Sequence, residues 1–236
     1  MKTRFKDNIR SLDLAYLESN QRKFLSPFYF NQINITLPLI LEHATGNFID
    51  LGCGDMPFRQ YYIKKVTSYD TLDSNPRSDQ ITYVGDIQHM DMIPDNTYDS
   101  AICLEVLEHL PEPQKAVNEI FRILKPEGTI IISVPHLSRL HDEPHDYYRY
   151  TRYGLRHIFE ESKFHIIHLV ERGGLFAFLG HQLCLGTIGI LGGHKGFREI
   201  ALIINHILTV LASKLDKWFN TSILFPMGYA LVAKKI

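Results

Sequence analysis

The sequence predicts an α/β fold, a mainly parallel sheet with helices on both faces, on three observations. Short apolar runs alternate with amphipathic stretches from Phe48 onward. Several of those runs, such as TIIISV at 129–134, have almost no polar position, as strands buried on both faces require. The first of them ends in a glycine-rich turn, DLGCG at 50–54, at the place where open parallel sheets bind ligands.

The elements follow in order. Residues 1–45 are expected as N-terminal helices in two or three pieces, broken at Ser26-Pro27 and Leu37-Pro38. Phe48–Leu51 is a strand ended by the glycines. Val66–Leu72 is a second, closed by Asp73-Ser74-Asn75-Pro76. Ile81–Val84 is a third and Tyr98–Leu104 a fourth. Pro113–Leu124 places Ala116, Val117, Ile120, Phe121 and Leu124 on one helical face. Lys125-Pro126-Glu127-Gly128 is expected to stop that helix before the fifth strand, Thr129–Val134. A helix near Arg152–Glu161, a strand at His165–Val170 and a closing strand at Gly228–Ala233 complete the series.

The chain is expected as one domain with an apolar helical insertion at 174–221, because a connection that long must carry its own structure. Gly173–His194 contains no Asp, Glu, Lys or Arg. Its glycines and polar residues weaken a membrane-spanning reading, leaving a lid, a dimer interface or a lipid-facing surface. Twenty-five Lys and Arg nearly balance twenty-six Asp and Glu, so no global charge steers the chain to nucleic acid. The first twenty residues carry charge throughout, unlike a secretory signal, and three scattered cysteines match no zinc or disulfide pattern. A cytoplasmic location with reduced thiols is the expectation, with peripheral membrane contact through the apolar section as an alternative to plain core.

The glycine turn narrows the cofactor. Gly52 and Gly54 permit positive φ and a ligand lying against bare backbone. A dinucleotide fingerprint needs a third glycine where this chain has Met56, Pro57 and Phe58, which argues against a pyrophosphate and a dehydrogenase. Asp50 at the turn favours a ligand with a cationic group. Asp73 lies some twenty residues beyond the glycines, at the distance of an acid that accepts ribose hydroxyls. Asp86 can accept an adenine amino group, with Ile87 packed on the ring.

FIDLGCGD, YDTLDSNP, YVGDIQHM and MIPDNTYDSAICLEVLEHLPEPQKAVNEIFRILKPEGTIIISVP, in that order, closely resemble the class I S-adenosylmethionine-dependent methyltransferases. The resemblance implies a Rossmann-like, seven-stranded, mainly parallel sheet with an antiparallel last strand. It also implies the cofactor S-adenosyl-L-methionine. By the same resemblance Asp50, Leu51, Gly52, Cys53 and Gly54 hold the methionine end, Asp73 and Ser74 the ribose, and Asp86 and Ile87 the adenine. Cys103 and Leu104 border the sulfonium.

Two segments supply candidate chemistry. In Glu105-Val-Leu-Glu108-His109, a helix brings both carboxylates and the imidazole to one face. The E-x-x-E-H pattern is similar to the metal-binding segment of quinone-precursor and small-RNA O-methyltransferases, so a divalent cation on Glu105, Glu108 and His109 is an alternative to a structural helix start. The second segment, His136–Thr151, is dense in His, Tyr and acids and resembles an H-x-x-x-Y-R-Y-T segment of class I enzymes. His109, His141 and His145 are the candidate general bases, His141 or His145 doubling as a fourth metal ligand. The expected activity is O-methylation of a small, lipid-linked or glycan-linked acceptor. A non-catalytic cofactor-binding partner and an RNA O-methyltransferase are the alternatives, and a homo-oligomer is compatible with each.

Overall fold

The computed structural model describes residues 2–17, 19, 21–75, 79–192 and 195–236. Pro76, expected to close the second strand's turn, and residues 193–194 of the insertion lie outside the described residues.

The chain divides into two compact units where the sequence suggested one domain. One comprises Leu37–Val170 and Gly228–Ile236, the other Met1–Thr36 and Glu171–Met227. The expected boundaries at 45 and 174 thus fall at 36 and 170, and the N-terminal helices and the insertion belong to the same unit. A contiguous-segment reading cannot see that partnership, because the two pieces are far apart in sequence.

The first unit is built on a seven-stranded sheet. Its strands are β1 (Asn47–Leu51), β2 (Ser68–Asp73), β3 (Tyr83–Val84), β4 (Tyr98–Leu104), β5 (Leu124–Pro135), β6 (Phe164–Arg172) and β7 (Gly228–Lys235). Their spatial order is β3-β2-β1-β4-β5-β7-β6. β1 pairs parallel with β2 and β4, β4 parallel with β5, and β7 antiparallel with β5. Strand order reverses between β1 and β4, so the turns after these two strands flank the switch point where such sheets bind ligands.

The central strands are apolar because both their faces are covered. Ile49, Ala101, Cys103, Ile130 and Ile132 are fully buried in one cluster with Val117 and Ile120. The last two come from α5 (Pro113–Ile123), whose buried face repeats at Ala116, Val117, Ile120 and Ile123. Pro113 at the helix start has the φ a first turn needs. α6 (Arg152–Glu161) buries Leu155 and Phe159 and is capped by Thr151, whose hydroxyl accepts from Gly154 N–H at 3.1 Å. α3 (Leu37–His43) and the short α4 (Arg59–Tyr62) complete this unit.

Two local expectations are corrected. Lys125–Gly128 does not precede the fifth strand but bulges within it. β5 begins at Leu124 opposite Tyr98 and resumes at Thr129 opposite Ser100, with Glu127 at φ 69° in the bulge. Leu37-Pro38 does not break the backbone either. Pro38 follows a π-helical turn, Gln32–Thr36, that runs directly into α3, where the i→i−4 ladder is already interrupted.

The other unit is helical. It contains α1 (Lys2–Ala15), α2 (Pro27–Asn31), α7 (Leu175–Leu191) and α8 (Lys195–Phe219). Asp216 of α8 is its central polar anchor. The carboxylate is buried and accepts from the N–H groups of Gly174, Phe176 and Ala177 at 2.8–2.9 Å, capping the first turn of α7. Asp216→Ala leaves those donors buried without an acceptor. We expect it to lower stability by about 2 kcal/mol, seen as a lower urea midpoint by Trp218 fluorescence.

Candidate active site

The turn after β1 has the backbone its glycines suggest. Gly52 has φ 68° and Gly54 φ 51°. A Cβ on Gly52 would lie 2.4 Å from Cγ2 of Val106, so neither the angle nor the space admits a side chain. Gly52 N–H donates to Leu72 carbonyl at 2.8 Å, and Gly54 N–H to Oδ2 of Asp73 at 2.9 Å. Asn75 N–H occupies Oδ1 of Asp73 at 2.8 Å. The carboxylate at the end of β2 thereby locks the turn after β1, holding its two oxygens at the sheet's carboxyl edge.

Asp50 lies beneath this turn and is buried. Tyr62 and Tyr69 hydroxyls both donate to its Oδ2, at 3.0 and 3.2 Å. Burial is the main influence and raises the carboxyl to about 7, against the lowering effect of the two phenols. The sequence-based expectation of a fixed negative charge here becomes a group that titrates near neutrality. Neither tyrosine carried a signal in the sequence, since each reads there as ordinary core.

The remaining expected cofactor residues are placed as follows. Leu51 and Cys53 are buried on either side of Gly52, and Ser74 is exposed beside Asp73. Asp86 is exposed, and its carboxylate accepts from Gln88 N–H at 2.8 Å and from the Gln88 amide at 3.0 and 3.1 Å. Gln88, which the sequence did not single out, also accepts from Glu112 N–H at 3.0 Å. Ile87 is buried in the core cluster. Cys103 is wholly buried there too, whereas Leu104 at the strand end is half-buried.

The segment after β4 differs from expectation. Glu105, Glu108 and His109 do not share a helical face, because only Leu107–His109 form a single 3-10 turn. Glu105 stands before it at φ 55°, and its carboxylate accepts from Ser133 hydroxyl at 2.7 Å. The group that joins Glu108 and His109 is instead His141. One ligand atom from each of these three lies within 4.8 Å of the others. The Nε2 atoms of His109 and His141 each stand 3.7 Å from Oε1 of Glu108.

Glu108 is fully buried, and among the described residues neither carboxylate oxygen has a hydrogen-bond partner. Burial raises its pKa, and the facing carboxylate raises that of His141. Both imidazoles have their other nitrogen on a backbone carbonyl. His109 Nδ1 meets His145 carbonyl at 2.6 Å, and His141 Nδ1 meets Arg139 carbonyl at 3.2 Å. In the neutral rings, with Nδ1–H donating to those carbonyls, each Nε2 presents its lone pair toward Glu108. Three acceptors thus face one another.

The loop that carries His141 is tied down along its main chain. Tyr147 and Tyr148 N–H groups donate to Glu108 carbonyl at 2.8 and 3.2 Å, and Tyr150 hydroxyl to Leu107 carbonyl at 3.0 Å. Arg149 grips Asp146 with two nitrogens at 2.6 and 2.8 Å, holding that carboxyl well below the usual range. Asp146 in turn accepts from His141 N–H at 2.8 Å. His145, an expected base, does not join the cluster. Its ring turns to Tyr147 hydroxyl at 3.1 Å, and only its carbonyl serves His109.

A glycine turn locked by an acid, at the switch point of a seven-stranded sheet whose last strand is reversed, defines a class I S-adenosylmethionine-binding fold. Residues 22–176 match the family described as a methyltransferase domain, and the chain belongs to that family. It is similar to a sterol 24-C-methyltransferase of Yarrowia lipolytica, 33% identical over 117 residues, covering 49% of this chain and 29% of the relative. It is also similar to a ubiquinone biosynthesis O-methyltransferase of Aliivibrio fischeri, 27% identical over 123 residues, covering 44% and 52%. The matched segments span from under a third to about half the length of these curated relatives. A solved S-adenosylmethionine-dependent methyltransferase from Archaeoglobus fulgidus has the same fold, with a TM-score of 0.56 at 18% identity over 89% of this chain and 95% of that one.

The raised pKa of Asp50 has a stability consequence. The folded state holds its proton up to about pH 7, the unfolded chain only to about 3.8. The stabilisation is complete below pH 3.8 and is lost as pH rises toward 7. Urea midpoints of the cofactor-free protein between pH 4 and 7 are therefore expected to fall less steeply in Asp50→Asn than in the wild type.

Proposed function

We propose that this chain transfers a methyl group from S-adenosylmethionine to an oxygen of a small, lipid-linked or glycan-linked acceptor. The observation that carries the oxygen assignment is the group of acceptors made by buried Glu108 with half-buried His109 and His141. The residues after β1 and β2 fit the cofactor. Gly52 leaves the backbone bare, Asp73 offers a carboxylate for ribose hydroxyls, and Asp50, once ionised, offers charge for an ammonium. When bound, S-adenosylmethionine supplies a methyl group activated by a sulfonium.

The chain's own part is to orient the acceptor and take its proton. The facing carboxylate raises the pKa of His141, which leaves His109 as the open base. Its Nδ1–H is committed to the His145 carbonyl, so Nε2 receives the proton from the acceptor hydroxyl. Glu108, 3.7 Å away, stabilises the imidazolium that results.

A second reading is favoured by the same oxygens of Glu108. Two imidazole nitrogens and a carboxylate, with no donor between them among the described residues, suit a divalent cation. Glu108, His109 and His141 would hold it, in place of the Glu105 set, and it would lower the pKa of the acceptor hydroxyl. An RNA acceptor gains no support from charge. The sheet-bearing unit contains fourteen Lys and Arg against twenty Asp and Glu.

Calorimetry with S-adenosylhomocysteine tests the cofactor, and absence of binding would sink the whole reading. Turnover is followed as S-adenosylhomocysteine release with panels of phenols, alcohols and amines. His109→Ala is expected to lower kcat by about a hundredfold or more with cofactor affinity unchanged. Turnover restricted to amines would overturn the oxygen assignment. Activity lost on chelation and restored by Mg²⁺, Mn²⁺ or Zn²⁺ would select the cation over the free base.

A further inference from the structure

Helix α8 is built inside out. The face of α8 turned inward carries small and polar side chains: Ala201, Asn205, Thr209, Ala212 and Asp216 are buried. At 100° per residue these fall on one side of the helix. The opposite side carries Ile200, Ile203, Ile204, Ile207 and Leu211, all exposed, with Ile203 at 61% and Ile207 at 60%. A water-facing helix has the reverse arrangement.

The seam with α7 is equally unlike a water-soluble core. Gly180 of α7 approaches so closely that an added Cβ would meet the Cβ of Ala212 at 3.2 Å. Asn205 donates to the carbonyls of Leu25 and Cys184 at 2.8 and 3.2 Å. Small residues at a close helix–helix contact, with an interhelical amide as the polar tie, are what helices use where no hydrophobic effect drives them together. α7 adds exposed Leu179, Leu183 and Ile190 to the apolar surface.

Charge is arranged to match. The helical unit holds eleven Lys and Arg against six Asp and Glu, while the chain as a whole is at −1. No charge interrupts α8 from Ile200 to Ser213, and exposed Lys214, Lys217 and Trp218 follow. By length and composition Gly196–Phe219 is long and apolar enough to cross a bilayer, but its uncharged run is only fourteen residues and its buried side is polar. A basic end with an aromatic anchor and an apolar stripe suits a helix lying in the plane of the interface.

We propose that this unit docks on an anionic lipid bilayer, α8 lying in the headgroup boundary with its isoleucine face in the acyl region. Lys214 and Lys217 contact the anionic headgroups, and Trp218 sits at their level. The proposal does not depend on the acceptor assigned above.

The test is co-sedimentation of the full chain with vesicles of phosphatidylcholine alone and of phosphatidylcholine with about 30% phosphatidylglycerol. Trp218, the single tryptophan, reports insertion by its emission. Binding is expected to be at least ~tenfold tighter on the anionic vesicles, with a blue shift. The exposed-face variant I203E/I207E is expected to lose at least ~tenfold in binding, while its thermal midpoint and S-adenosylhomocysteine affinity stay at wild-type values. K214E/K217E is expected to erase the difference between the two vesicle types. Failure to sediment with either vesicle, or undiminished binding by I203E/I207E, overturns the proposal. So does a stable dimer in lipid-free solution that I203E/I207E dissociates, since a second copy then covers the face.

Discussion

Strands β1, β4 and β5 are buried on both faces, and that constraint sets where polar chemistry can stand. A strand covered by helices on each side has no place along its length for an unpaired carboxylate or imidazole. Polar groups that must meet a ligand are therefore pushed to the carboxyl ends. Asp50, Asp73 and Glu108 all stand at or just beyond such an end. Each meets its burial differently. Asp73 is paired with backbone N–H groups, Asp50 with two phenols, and Glu108 faces two histidines beyond hydrogen-bond distance.

Those differences in partnering produce different chemistry from the same side chain. Backbone donors hold Asp73 in one orientation, as a fixed acceptor needs. The phenols offset only part of Asp50's desolvation, so its charge becomes conditional on pH or on a cationic neighbour. Glu108 has the least compensation of the three among the described residues. Tyr62 and Tyr69 thus act on the site through Asp50.

Much of the fold was legible in the sequence. Apolar runs and glycine turns located all seven strands to within a few residues, because burial on two faces leaves a pattern that solvent exposure would erase. The bulge at Lys125–Gly128 was misread because Pro-Glu-Gly signals a chain reversal equally well inside a strand or before it. The site was legible only in part. Glu108 and His109 are adjacent in sequence, but Glu105 leaves them through a left-handed backbone that no spacing rule foresees. The pairing of 1–36 with 171–227 was hidden for another reason. Contacts over such separations depend on tertiary packing, which local periodicity does not encode.

The tethering of the His141 loop to the Glu108 turn is made largely by main-chain atoms. Tyr147 and Tyr148 contribute N–H groups to it, and His145 contributes a carbonyl. Such bonds are indifferent to which side chains the loop carries. Leu140, 66% exposed, can therefore be exchanged without disturbing the imidazoles, whereas Asp142 cannot, because its carboxylate stands 4.0 Å from His109 Nε2 and its backbone is at φ 51°. Substitution at the loop's surface and the fixing of the imidazoles are thus mechanically separable.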